Sequence, residues 1–186
     1  MPISLASTSA SSMHGAMVPI ASVTFTGSTS DFNFTNIPQG YQDLLFVIYG
    51  RSDYASNDVL IQSYINGNFA SNYSDTTLEG DGTSAYSSRD TNYGAVKIGF
   101  LPGGNSTSGI FGSMEYHILN YANSSTYKST LSRSASDRNG SGKTGLFVSL
   151  WRSTAAITSV GVATYGVGNF VSGSTVTLYG VRTVGQ

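Results

Sequence analysis

The chain has 186 residues, 39% hydrophobic and only 10% charged, with a formal net charge of −1 and no cysteine. That length suits one domain with a substantial core, and twelve Tyr with nine Phe exclude a wholly disordered polymer. The near-neutral balance excludes an electrostatic nucleic-acid binder, and the lack of cysteine excludes disulfide frameworks and thiolate metal sites.

Residues 1–20 (MPISLASTSASSMHGAMVPI) read as an extended Ser/Ala-rich N-terminal arm without strand or helix period. The segment lacks the positively charged start of a secretion signal, and no run in the chain approaches the roughly 20 apolar residues of a membrane helix. The expectation is a soluble protein made in the cytoplasm. Met13, Met17, Val18 and Ile20 are the arm's candidate anchors, because flexible thioethers adapt to irregular apolar surfaces.

From residue 21 to 186 the pattern predicts a single β domain. The expected strands are Ala21–Phe25, Phe32–Ile37, Asp43–Arg51, Val59–Ile65, Tyr73–Glu79, Ala95–Leu101, Ile110–Leu119, Tyr127–Arg133, Gly145–Trp151, Ile157–Tyr165 and Thr175–Val181. Val, Ile, Phe, Tyr and Thr fill these runs, and Gly, Asn, Ser and Asp punctuate them. Both sides of Asp43–Arg51 are apolar, which predicts a central strand covered on both faces. In Ala95–Leu101 the alternation places Val96, Ile98 and Phe100 inward, and in Ile110–Leu119 it sets Met114, Tyr116 and Ile118 opposite Ser113, Glu115 and His117. Asn66–Tyr73, Gly82–Tyr93 and Ser134–Gly142 read as polar loops. Short strands with frequent turns and no helical period predict an all-β antiparallel sandwich, with jelly-roll wiring.

Catalytic chemistry is thinly represented. Gly142-Lys143-Thr144 ends like a phosphate loop, but the pattern requires Gly where Asp137 stands. His117 lies two residues from Glu115, yet no nucleophile motif accompanies them. No spacing singles out a carboxylate pair for glycoside hydrolysis. Glu79-Gly80-Asp81 lacks the rest of a calcium loop, and no His cluster suggests zinc. The reading is a non-enzyme without a cofactor. Tyr54, Tyr73, Tyr86 and Tyr93 are expected in loops or on outer faces, where aromatic rings serve protein interfaces or stack on sugars.

Four stretches carry a resemblance: IPQGYQDLLFVIYGRS (Ile37–Ser52), INGNFASNYSDTTLEGDGTS (Ile65–Ser84), GSMEYHILNYANSSTYKSTLSRS (Gly112–Ser134) and LWRSTAAITSVGVATYGVGNFVSGSTVTLYGV (Leu150–Val181). They resemble small β-sandwich virion proteins of tailed bacteriophages. The resemblance implies a structural protein of the particle, foremost a capsid decoration (cement) protein. Such a protein binds the major capsid protein on the outer head surface as a homotrimer and grips the shell with its arm. The alternative it implies is a tail- or fibre-tip module that binds a receptor or host surface glycan. It implies no catalytic residues.

Overall fold

The computed structural model describes residues 16–166 and 168–183, so residues 1–15, with the expected anchor Met13, lie outside the described part. The described residues form a β-sandwich of twelve antiparallel strands without a helix. In chain order these are β1 (Met17–Thr24), β2 (Asp31–Phe34), β3 (Asp43–Gly50), β4 (Asp58–Ile65), β5 (Tyr73–Gly80) and β6 (Ala85–Tyr93). The second half supplies β7 (Val96–Pro102), β8 (Gly112–Ile118), β9 (Lys128–Asp137), β10 (Gly142–Trp151), β11 (Val160–Thr164) and β12 (Thr175–Val181). One sheet has eight strands in the order β1-β12-β3-β8-β9-β10-β5-β6, and the facing sheet has four in the order β2-β11-β4-β7.

The core lies where β12, β3 and β8 face the smaller sheet. Leu44, Phe46 and Ile48 alternate inward from β3, Met114, Tyr116 and Ile118 from β8, and Val176 and Leu178 from β12. They meet Val59, Ile61 and Ile65 of β4 and Val160 and Val162 of β11. Phe25, Phe32, Phe34 and Phe170 close one end, with Phe25 and Phe170 stacked at 5.2 Å. Burying each such side chain is worth about 1.5–3 kcal/mol, so this layer supplies most of the driving force.

The larger sheet is extended beyond β8 by two hairpins from different parts of the chain. β9–β10 joins through β8, and β5–β6 joins it by pairing β5 to β10. The inner face of this extension wraps around β7, the edge strand of the smaller sheet. Gly99 of β7 adopts φ +148°, and a Cβ there would lie 2.6 Å from that of Ser134 and 2.7 Å from Met114 Cε. The backbone N–H of Phe100, on the open edge of β7, donates to Ser134 Oγ at 3.1 Å. An otherwise orphaned edge donor is thereby satisfied.

Several sequence expectations are corrected. Met17, Val18 and Ile20, counted with the arm, stand in β1; Met17 and Val18 pair with β12, and Ile20 is the extra residue of a bulge between Pro19 and Ala21. Gly82–Tyr93, expected as a loop, mostly forms β6, and Ser134–Gly142 is mostly strand, with only residues 138–141 turning between β9 and β10. The irregularity at Gly99 reverses the alternation of β7, so Leu101 rather than Phe100 enters the core. β3 is central in its sheet, but Val47 and Tyr49 on its outer side are exposed.

Gly99→Ala, which both overfills the β7–β9 contact and imposes a conformation that L-residues avoid, is expected to lower unfolding free energy by about 2 kcal/mol or more. Urea denaturation measures it, and a loss within about 0.5 kcal/mol would contradict the close-packing account.

Candidate functional site

In the sheet extension the usual polarity of a sandwich is inverted. The inner face of β9 is Lys128, Thr130, Ser132, Ser134 and Ser136, all buried. On β10 and β5 the buried side also carries Ser149, Asp75 and Thr77 beside Phe147, Trp151 and Tyr73. The aliphatic side chains point the other way. Leu131 of β9, Leu146 and Val148 of β10 and Leu78 of β5 face outward, with Leu78 55% and Val148 50% exposed.

Strand register sets these side chains side by side. One row across the outer face reads Val47, Glu115, Arg133, Leu146, Leu78, and the next reads Leu45, His117, Leu131, Val148, Thr76. Tyr49 continues the face over β3, where it stacks on Phe111 at 5.1 Å. Charged side chains stand among the aliphatic ones, and Arg89 of β6 continues the second row beside Thr76. Arg133 contacts Glu115 at 2.7 Å, and His117 Nε2 lies 3.3 Å from Asp43 Oδ2. His117 therefore turns to Asp43 rather than to Glu115. An apolar recess of about 390 Å³ lies between Leu78, Leu146, Thr144 and Arg133. Leu131, Val148, Leu146 and Leu78 thus form an exposed aliphatic cluster, which makes this face the candidate interaction site.

The aromatics singled out from the sequence do not gather. Tyr73 is fully buried and stacks on Trp151; its hydroxyl accepts from Ile65 N at 3.1 Å and donates to Asn68 O at 2.9 Å. It is a core residue and can touch neither partner nor sugar. Tyr93 is half-buried, with its hydroxyl against that of Tyr165. Tyr54 and Tyr86 are exposed, but one follows β3 and the other stands in the edge strand β6. Of the expected anchors, Val18 and Met17 are exposed or rim positions of β1, and Ile20 packs against the core. The outer leucines and valines escaped sequence reading because their strands carry serine on the alternate positions. The signal available was the alternation itself, read with the sign reversed.

Beneath the extension lies a buried polar cluster. Lys97 of β7 contacts Asp90 and lies 3.7 Å from Asp75 Oδ1. Neither oxygen of Asp75 has a hydrogen-bond partner among the described residues, and Ser149 Oγ is likewise unpartnered. Burial pushes the Asp75 carboxyl above its ordinary value, against the pull of Lys97 and with the help of Asp90. For Lys97 burial works the opposite way, yet the two carboxylates outweigh it and hold the ammonium more basic than usual. The Asp75 side chain is sealed from solvent, so the group tunes stability rather than touching a substrate. The calcium-like turn is self-satisfied as well: Asp81 Oδ1 accepts from Thr83 N at 2.9 Å and Ser84 N at 2.7 Å. Gly142-Lys143-Thr144 begins β10, with Lys143 paired to Glu79 at 2.8 Å and 3.6 Å from the centre of the Phe100 ring.

No protein-family model matches the chain, and neither a curated protein nor a solved structure does. The reading of function therefore rests on the site's own physics and on the resemblance in the sequence.

The raised Asp75 pKa has a definite pH consequence. Between 3.8 and the raised value the folded chain binds more protons than the unfolded chain, so this group makes stability fall as pH rises through that window. Asp75→Asn removes that contribution. Chemical-denaturation midpoints across the acid range are expected to fall less steeply with pH in the variant than in the parent; identical profiles would contradict the assignment.

Proposed function

We propose that this chain is a structural assembly protein of a tailed-phage particle, docking on the outer surface of the head shell through the exposed face of its eight-stranded sheet. The observation that carries the docking surface is the inverted polarity of β9, with serine and threonine inward, together with the exposed aliphatic side chains that it shares with β10 and β5: Leu131, Leu146, Val148 and Leu78. Exposing aliphatics while burying hydroxyls is unfavourable for an isolated domain and favourable for one whose outer face is covered by a partner. Eight strands at about 4.8 Å spacing and about 24 Å length give a face of about 900 Å². A standard protein interface uses about 800 Å² per partner, so the proposed docking covers nearly the whole of this face, with the aliphatic cluster on β9, β10 and β5 as one part of it.

The phage assignment comes from the four resembling stretches, which lie largely in strands and their connecting loops. Strand pairing supports a jelly-roll wiring as well. β1, β12, β3 and β8 form one four-strand set, and β2, β11, β4 and β7 form the other. The pairs nest as the chain folds back on itself, and the β5–β6 and β9–β10 hairpins then enter as insertions that supply the docking extension. Trimeric association at junctions between shell subunits belongs to this proposal, and the Glu115–Arg133 pair at the centre of the face would be covered as a matched pair. Tail location of the same protein, as a receptor- or glycan-binding module, is the competing placement.

Two measurements test this reading. Antibodies raised to the recombinant protein should label the heads of intact particles in electron micrographs; label confined to tails, or none, would contradict it. The double variant Leu146→Lys, Val148→Lys places two charges in the face without touching the core. It should keep its far-UV circular dichroism and lose at least about thirtyfold in affinity for undecorated shells, the loss of about one interface hot spot. Undiminished binding by the folded variant would show that another surface docks.

A further inference from the structure

The opposite side of the molecule carries a second feature. On the outer face of the smaller sheet, β11 presents only Gly161 and Ala163, between Asp31 and Asn33 of β2 and Gln62 and Tyr64 of β4. The small residues leave a trough along β11. Tyr64 lies across its Gly161 end, and a Cβ at Gly161 would fall within the Tyr64 ring. The Tyr64 hydroxyl reaches over the trough to donate to Asp31 Oδ2 at 3.0 Å. The remaining hollow, about 360 Å³, is floored by Ala163 and walled by Asp31, Gln62, Tyr64 and Phe69.

Phe69 is the unusual member. It is 64% exposed, the highest of the exposed large apolar side chains, although it sits on a rigid loop. Asn66 and Gly67 form a turn with φ of 53° and 64°, and Asn68 N closes it on Ile65 O at 2.9 Å. Asn68 Oδ1 accepts from Ala70 N at 2.7 Å, and the buried Tyr73 hydroxyl holds Asn68 O. One side of the Phe69 ring rests against Tyr64, with centroids 4.8 Å apart. The ring gains one aromatic contact from Tyr64, while the rest of it stays in water as a pre-organised stacking platform.

We propose that this hollow binds an uncharged pyranose, with the sugar's C–H face on Phe69 and its hydroxyls on Asp31 and Gln62. A carboxylate has about four lone-pair positions; the Tyr64 hydroxyl uses one at Oδ2 and the Ser30 hydroxyl one at Oδ1, at 3.4 Å, which leaves about one on each oxygen for adjacent sugar hydroxyls. The Gln62 carboxamide offers both a donor and an acceptor. Tyr64 stays protonated to hold Asp31 in place, since burial and then the Asp31 bond push its pKa up to about 12. Among the described residues no Lys, Arg or His lines the hollow, so the Asp31 charge selects against uronic and sialic acids. The site lies on the opposite outer face from the proposed docking surface and would stay open on a docked molecule. It stands whether or not that docking is correct.

NMR titration of the full chain with methyl glycosides of glucose, galactose and mannose, with N-acetylglucosamine, and with methyl glucuronide as the anionic comparison tests the site. A shallow single-sugar site predicts saturable shifts with Kd on the order of millimolar for at least one neutral sugar. Phe69→Ala, whose side chain is mostly in solvent, should fold normally and weaken that binding about tenfold, and Gln62→Ala should weaken it similarly. The proposal is overturned if no neutral sugar gives saturable shifts at concentrations about a hundredfold above that range. Parental affinity in folded Phe69→Ala, or equal binding of the glucuronide, would overturn it too.

Discussion

The close approach of β7 to the inner face of β9 is the constraint from which the rest of the molecule follows. A sandwich with four strands facing eight leaves its smaller sheet with an open edge, and open edges invite pairing with other chains. Here β9 closes over that edge so tightly that only Gly99 fits against Ser134 and Met114, and Ser134 takes the free Phe100 amide. Leucine on the inner side of β9 would hold the layers apart. Serine and threonine fit, satisfy backbone groups and keep the contact short. The edge of the smaller sheet is protected at the expense of an ordinary apolar interior under the extension.

The displaced hydrophobicity reappears on the other side of the same strands. Leu131, Leu146, Val148 and Leu78 supply the β-propensity and cross-strand contacts that the inner serines cannot. They also create an apolar face that water does not favour. In the proposed assembly, covering this face completes a hydrophobic layer that the fold began, so docking and folding draw on one force. The ion pairs fit the same scheme, since Glu115–Arg133 on the face and Lys97–Asp90 beneath it are each matched locally. The smaller sheet has the reverse arrangement: its inner side is conventional, and its outer side is hollowed by Gly161 and Ala163.

Strands whose inner residues are aliphatic were legible in the sequence. Thr175–Val181 matches β12 residue for residue, and Asp43–Arg51 extends β3 by one position. The sandwich itself followed from these runs. β6, with AYSSRDTNY, was not legible, because an exposed edge strand requires no apolar alternation and is held by pairing to β5 alone. The second half of β9 was read as loop because its inner side is serine. Phe100 was placed inward because the reversal at Gly99 is an irregularity in the pairing of β7 with β4, which no local period encodes. The exposed face and the hollow were hidden for a related reason. Each depends on which strands become neighbours, and Phe69, Gln62 and Asp31 converge only once β2, β11 and β4 are paired.

The most direct test of the central claim uses the absence of native cysteine. Single variants Val148→Cys, on the apolar face, and Asn33→Cys, on the opposite sheet, should react with a maleimide at similar rates in the free protein, since both positions are exposed. On assembled particles the thiol of the first variant should be protected while that of the second still reacts. Equal reactivity of both on the particle would mean that the inverted face remains open to water, and the account of its polarity would fail.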